Sequence, residues 1–205
     1  DSRGNVYVAW HGSAPDNQNH ELGRAVFVAR SKDDGKTFER ERKANPDPTG
    51  ACGCCGMRAF TDSRDNLYML YRTANKESRD MALLRSEDHG QTFALRTTSQ
   101  WKIQTCPMSS SSFAEGSQGI ILGTEKNGMP HLGVINPETM EFSEISHAFF
   151  EQKGKHPSVS GNSNGEVLVA WAEGAGWAKG GSLRWQVFDK SGKPTIGNTE
   201  SNEVP

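Results

Sequence analysis

The residues best able to do chemistry in this chain are its four cysteines. Three crowd into Gly50-Ala51-Cys52-Gly53-Cys54-Cys55-Gly56, and the fourth opens the dipeptide Cys106-Pro107. An imidazole takes the same setting in His156-Pro157. Thiolate and imidazole are the preferred donors for copper and zinc, so converging Cys52, Cys54, Cys55, Cys106 and His156 can ligate a soft or borderline metal. The spacing is not that of a zinc finger or ribbon. An even cysteine count equally suits two disulfides, in which Cys106 bonds one of the adjacent pair Cys54 and Cys55 and Cys52 takes the other. Buried free thiols are the third reading, and the residues alone leave all three open.

A second set is charged. Arg72, Arg79 and Asp80 flank one short polar stretch, Arg58 follows the cysteine loop, and Glu173 stands in Trp171-Ala172-Glu173-Gly174-Ala175-Gly176-Trp177. Arginine grips carboxylates bidentately, which makes Arg58, Arg72 and Arg79 candidates for holding an acidic ligand. Asp80 and Glu173 are the candidate acids, and Trp177 in its Gly-rich loop is a candidate to stack on a sugar ring or to plug the channel. Each charge also has a plainer use as an ion-pair partner or a solvated loop residue. His20, His89, His131 and His147 receive no role.

These residues need elements to hold them. Val6-Tyr7-Val8-Ala9-Trp10 follows Asp1-Ser2-Arg3-Gly4-Asn5, and the same phrase of turn then apolar run returns at 62–71, at 116–123 in weaker form, and at 162–171. The runs are apolar without alternation, which predicts strands buried on both faces between stacked sheets. Ser31-Lys32-Asp33-Asp34-Gly35-Lys36-Thr37-Phe38 is matched by Ser86-Glu87-Asp88-His89-Gly90-Gln91-Thr92-Phe93. Both read Ser-x-Asp-x-Gly-x-Thr-Phe: a carboxylate to accept backbone N–H groups, a glycine for positive φ, and a ring to anchor the turn. The spacing predicts four-stranded units of about 45 residues, the size of a propeller blade. Their expected bounds are 1–45, 55–99, 106–147 and 156–200 within one domain.

The octapeptides, carried by Ser31, Asp33, Gly35, Thr37 and Phe38 and by Ser86, Asp88, Gly90, Thr92 and Phe93, resemble the Asp-box or BNR repeat of sialidase-like β-propellers. That resemblance implies an all-β propeller of antiparallel blades, usually six, so that this chain, whose first blade opens on its second strand, is expected to be a fragment. It makes the Asp boxes structural turns on the face opposite the active site. The loops with the cysteines, arginines and Trp177 then share the other face. In sialidases three arginines hold the substrate carboxylate, an Asp is the acid/base, and a Tyr paired with Glu attacks; the Phe/Tyr-Arg-Ile-Pro stretch that brings the first arginine is missing here, and no nucleophile is assignable. The Cys-x-Cys-Cys cluster with the later Cys-Pro also resembles a feature of bacterial sialidase-like proteins that lack the arginine motif.

A net charge of −2 without a run of like charges gives no reason to expect nucleic acid or an anionic membrane surface. No apolar run approaches the roughly 18 residues of a spanning helix. Two functions follow as expectations. One is an exported propeller, secreted or periplasmic, that binds or hydrolyses an acidic glycan or small molecule on its loop face as an exo-α-sialidase would. The other is a non-catalytic propeller whose Cys/His cluster binds copper or zinc, or whose loop face binds a protein.

Overall fold

In a computed structural model the chain is all-β, and no helix occurs among the described residues. These are residues 1–46, 49–145, 153–176 and 178–197, with the backbone of 202–204. They divide into two compact units, 1–108 and 109–205.

The first unit holds two antiparallel sheets. In one, β1 (Val6–Gly12), β2 (Ala25–Ser31) and β3 (Arg42–Lys43) lie in that order. In the other, β4 (Arg58–Thr61), β5 (Leu67–Arg72), β6 (Met81–Ser86) and β7 (Ala94–Ser99) form an up-and-down meander. Every residue of β5 and β6 is buried. Their unbroken apolar runs fill the space against β2, where Val26, Val28, Leu67, Met69, Tyr71 and Leu84 make one core. Burying one such aliphatic side chain stabilises by about 1.5–3 kcal/mol. β1 behaves otherwise: it lies at the edge of its sheet, alternates in burial, and leaves Val6, Val8 and Trp10 exposed. The expectation of burial on both faces therefore fails for β1, and also for the run 167–171, where Leu168 is exposed, because a strand with one uncovered face can bury only every second residue.

In the second unit β8 (Ser112–Gly116), β9 (Gly119–Lys126), β10 (Met129–Ile135) and β11 (Phe142–Ile145) make a four-stranded meander. β12 (Gly154–Gly161), β13 (Val167–Glu173), β14 (Gly181–Phe188) and β15 (Pro194–Gly197) make another, with β16 (Asn202–Val204) also pairing β14. Ile121, Leu132, Val159, Val169 and Phe188 pack between these sheets. The β12 ladder shifts register between Lys155 and Ser158, where Pro157 lacks an N–H to continue it and His156 takes a φ of +55°.

The two octapeptides turn alike. Asp34-Gly35 and His89-Gly90 each place two consecutive residues at positive φ, as the tight turn between twisted strands requires. In the first, the Gly35 N–H donates to Ser31 Oγ at 2.9 Å; the Thr37 N–H and hydroxyl donate to the two Asp33 oxygens at 2.8 and 2.6 Å. In the second the matching bonds to Ser86 and Asp88 measure 2.8, 2.8 and 2.6 Å. The Thr37 hydroxyl and N–H hold the Asp33 carboxyl down at about 2, and at Asp88 burial works upward but the Thr92 and Ser86 donors bring it to the same value. The rings differ. Phe93 packs against the core, whereas Phe38 is 43% exposed.

Candidate metal centre

All four cysteines belong to the first unit and stand on loops. Cys52, Cys54 and Cys55 lie between β3 and β4, and Cys106 follows β7. Two further loops meet them, 13–24 between β1 and β2 and 73–80 between β5 and β6. The cysteine loop is sewn to both: the Ala51 N–H donates to Glu21 O at 3.1 Å, the Cys52 N–H to Arg72 O at 2.8 Å, and Thr49 O accepts from the Ala74 N–H at 3.1 Å. The Arg79 N–H in turn donates to Trp101 O at 2.9 Å. Gly50 permits this crowding. Its φ is +59°, and a Cβ there would stand 2.7 Å from the carbonyl oxygens of Ala74 and Glu21.

The result is a cluster of free thiols. Cys106 Sγ lies 3.2 Å from Cys52 Sγ and 3.6 Å from Cys55 Sγ, and all three sulfurs are within 4.8 Å of one another. Cys52 and Cys55 are buried, Cys106 is half-buried and Cys54 is exposed. Cys54 Sγ approaches Cys52 Sγ at 4.0 Å, and with a Glu21 carboxylate oxygen this pair makes a second potential ligand group. Backbone N–H groups point at the sulfurs. Those of Cys54 and Cys55 reach Cys52, and that of Met108 donates to Cys106 Sγ at 3.3 Å. Hydrogen bonds from the Cys55 and Cys106 thiols and these amides outweigh burial and hold the Cys52 thiol well below its ordinary range. Cys54 moves the other way, because its hydrogen bond with Cys106, its burial and the negative charge of Cys52 all raise it.

A charged surround fixes this nest. Glu21 Oε1 accepts from the Gly53 N–H at 3.1 Å, and Glu21 pairs with Arg79 Nη1 at 2.8 Å and Arg24 Nη1 at 3.3 Å. Burial works to raise the Glu21 carboxyl, but Gly53, Arg79 and Arg24 together keep it below its usual value. With metal–sulfur bonds near 2.3 Å, sulfurs around one ion stand about 3.8–4.0 Å apart, so Cys106 has to move away from Cys52 by about 0.6–0.8 Å and from Cys55 by about 0.2–0.4 Å.

The other sequence candidates are placed as follows. Arg72 is buried, donates from Nη1 to Arg79 O at 2.7 Å and covers the Trp101 ring at 5.1 Å. It braces the 73–80 loop. Arg79 is held by Glu21, and Asp80 Oδ1 accepts the Trp101 N–H at 2.9 Å. Arg58 is exposed on β4. In the second unit Glu173 pairs with Arg184 Nε at 2.9 Å. His156 also lies there, with Nδ1 3.0 Å from Ser110 Oγ, and is in neither ligand group; burial and Lys155 lower its pKa. Trp177 falls outside the described residues. Sequence reasoning missed Glu21, because nothing in Asn19-His20-Glu21-Leu22 distinguishes a loop carboxylate that folds back over Gly53.

No family profile and no curated protein matches the chain in sequence. Solved structures do match in fold. An α-L-arabinofuranosidase of Fusarium graminearum in complex with arabinobiose gives a TM-score of 0.66 at 13% identity, over 99% of this chain and 64% of its own. An ulvan lyase, a polysaccharide lyase, gives 0.63 at 15%, over 96% and 55%. A Hadza microbial sialidase gives 0.60 at 15%, over 92% and 43%. The chain therefore spans about half of the length of these structures. What it shares with them is the β-propeller fold, whose antiparallel blades its four sheets are.

Proposed function

We propose that this chain is part of an exported propeller that binds a soft metal ion, copper or zinc, through Cys52, Cys55 and Cys106. The observation that carries this reading is the convergence of three sulfurs from two separate loops, with backbone N–H groups directed at two of them. Buried thiolates repel one another, and a cation in their midst removes that cost while the N–H groups orient the ligands. Arg79 and Arg24, held by Glu21, supply the outer positive charge. Anaerobic elemental analysis of the reduced full chain, loaded and desalted, is expected to find about one equivalent of metal. Cys55→Ser and Cys106→Ser should each fall well below that. A parent chain without metal, or with Cys52 and Cys106 recovered as a disulfide from freshly purified protein, would falsify the reading.

A second reading is favoured by the fold likeness to glycan-active proteins: an acidic glycan bound on the loop face, or cleaved there as by an exo-α-sialidase. Arg58 is its remaining candidate, since Arg72, Arg79 and Asp80 are engaged within the first unit and Glu173 pairs with Arg184 in the second. Turnover of a chromogenic sialoside that is unaffected by Cys55→Ser would favour it over the metal reading.

A further inference from the structure

The four cysteines are not equivalent. Cys52 and Cys55 are 1% and 6% exposed and share a core with Cys106 and Ala74. Cys54, between them in sequence, is exposed, stays outside the close trio, and yet stands 4.0 Å from Cys52 Sγ. A closed structural zinc site gathers four ligands in a tetrahedron, while a monovalent copper ion is satisfied by three thiolates. Three sulfurs inside and one outside match the second demand. The outer thiol also has a position that suits transfer: open to solvent on one side and within one ligand exchange of Cys52 on the other.

We propose that the ion is Cu(I), held by Cys52, Cys55 and Cys106, and that Cys54 is the thiol through which it arrives from a thiolate-bearing carrier. This rests on the metal reading above. Copper stays monovalent throughout. The Cys54 sulfur forms a bond to carrier-bound copper as one carrier sulfur–copper bond breaks, and the Cys54 proton passes to the released carrier thiolate. Bonds to Cys52, Cys55 and Cys106 then form as the bond to Cys54 and the remaining carrier bond break, and the protons of the Cys55 and Cys106 thiols pass to the released Cys54 and carrier thiolates. The three sulfurs of the trio keep the ion. Glu21, tied to Gly53, Arg24 and Arg79, holds the backbone between Cys52 and Cys54 and is a positioning residue.

The test mixes reduced full-chain apoprotein with the Cu(I)–glutathione complex in a stopped-flow instrument under anaerobic conditions. Equilibrium affinity is measured separately by competition with bicinchoninate. Cys54→Ser is expected to hold one Cu(I) with the parent's affinity but to load slower by roughly tenfold or more, because a serine hydroxyl is a poor ligand for monovalent copper. Cys55→Ser is expected to lose affinity, and far-ultraviolet circular dichroism checks that both variants are folded. Cys54→Ser that loads as fast as the parent, or loses affinity as Cys55→Ser does, overturns the transfer role while leaving the metal reading in place. Retention of zinc against excess Cu(I)–glutathione overturns the choice of ion. A parent that binds neither metal overturns both proposals.

Discussion

At the scale of single residues, carboxylates placed to accept N–H groups shape the turns. Asp88 takes the N–H and hydroxyl of Thr92 and the hydroxyl of Ser86, and Asp33 repeats the pattern. The same device recurs where the sequence alone did not reveal it. Asp1 Oδ1 accepts the N–H groups of Arg3 and Asn5 while Oδ2 accepts from Asn5 Nδ2 and the Tyr7 hydroxyl; Asp62 does the same for Arg64, Asn66 and Tyr68. Because the folded pKa of Asp33 and Asp88 is about 2, below the ordinary 3.8, their contribution is complete above the ordinary value and is lost as pH falls through about 2. Urea midpoints should therefore fall between pH 4 and pH 2. Asp88→Ala should cost about 1 kcal/mol at pH 7 and show a smaller acid decline than the parent, since net hydrogen-bond contributions are of that size. An unchanged acid decline in Asp88→Ala would assign the loss to other carboxylates.

At the scale of elements, the middle strands carry stability and the loops carry chemistry. Leu84 on β6 is fully buried against Val26, Val28 and Leu67. Leu84→Ala is expected to destabilise by about 2–5 kcal/mol, the range for a cavity in a packed core, as read by denaturant unfolding. Loss of under 1 kcal/mol would mean that the β5–β6 layer repacks freely. Strand positions were readable from apolar runs, and hairpins from the Ser-x-Asp-x-Gly-x-Thr-Phe repeats, because both depend on local turn chemistry and side-chain type. The edge exposure of Val6 and Val8 was not readable, since the run 6–10 is as unbrokenly apolar as the buried run 67–71 and only neighbours distinguish them.

At the scale of the whole molecule, the cysteines lie in one unit, and a ligand that binds only the folded site stabilises by mass action. Copper loading should raise hydrogen-exchange protection at 49–57, 73–80 and 100–108, the loops sewn together around the sulfurs, and leave β13 and β14 of the second unit unchanged. Equal protection across 109–197 would indicate a second site. The sequence by itself determined the all-β class, the two Asp-anchored hairpins and the presence of a cysteine-rich loop, since all are written in residue type and short-range spacing. Only the tertiary structure decided that Cys106 joins Cys52 and Cys55, that Cys54 stays outside, that Glu21 closes over Gly53, and that Arg72 braces a loop under Trp101. Those contacts join loops far apart in the chain, and their geometry is set by the packing of the sheets beneath them.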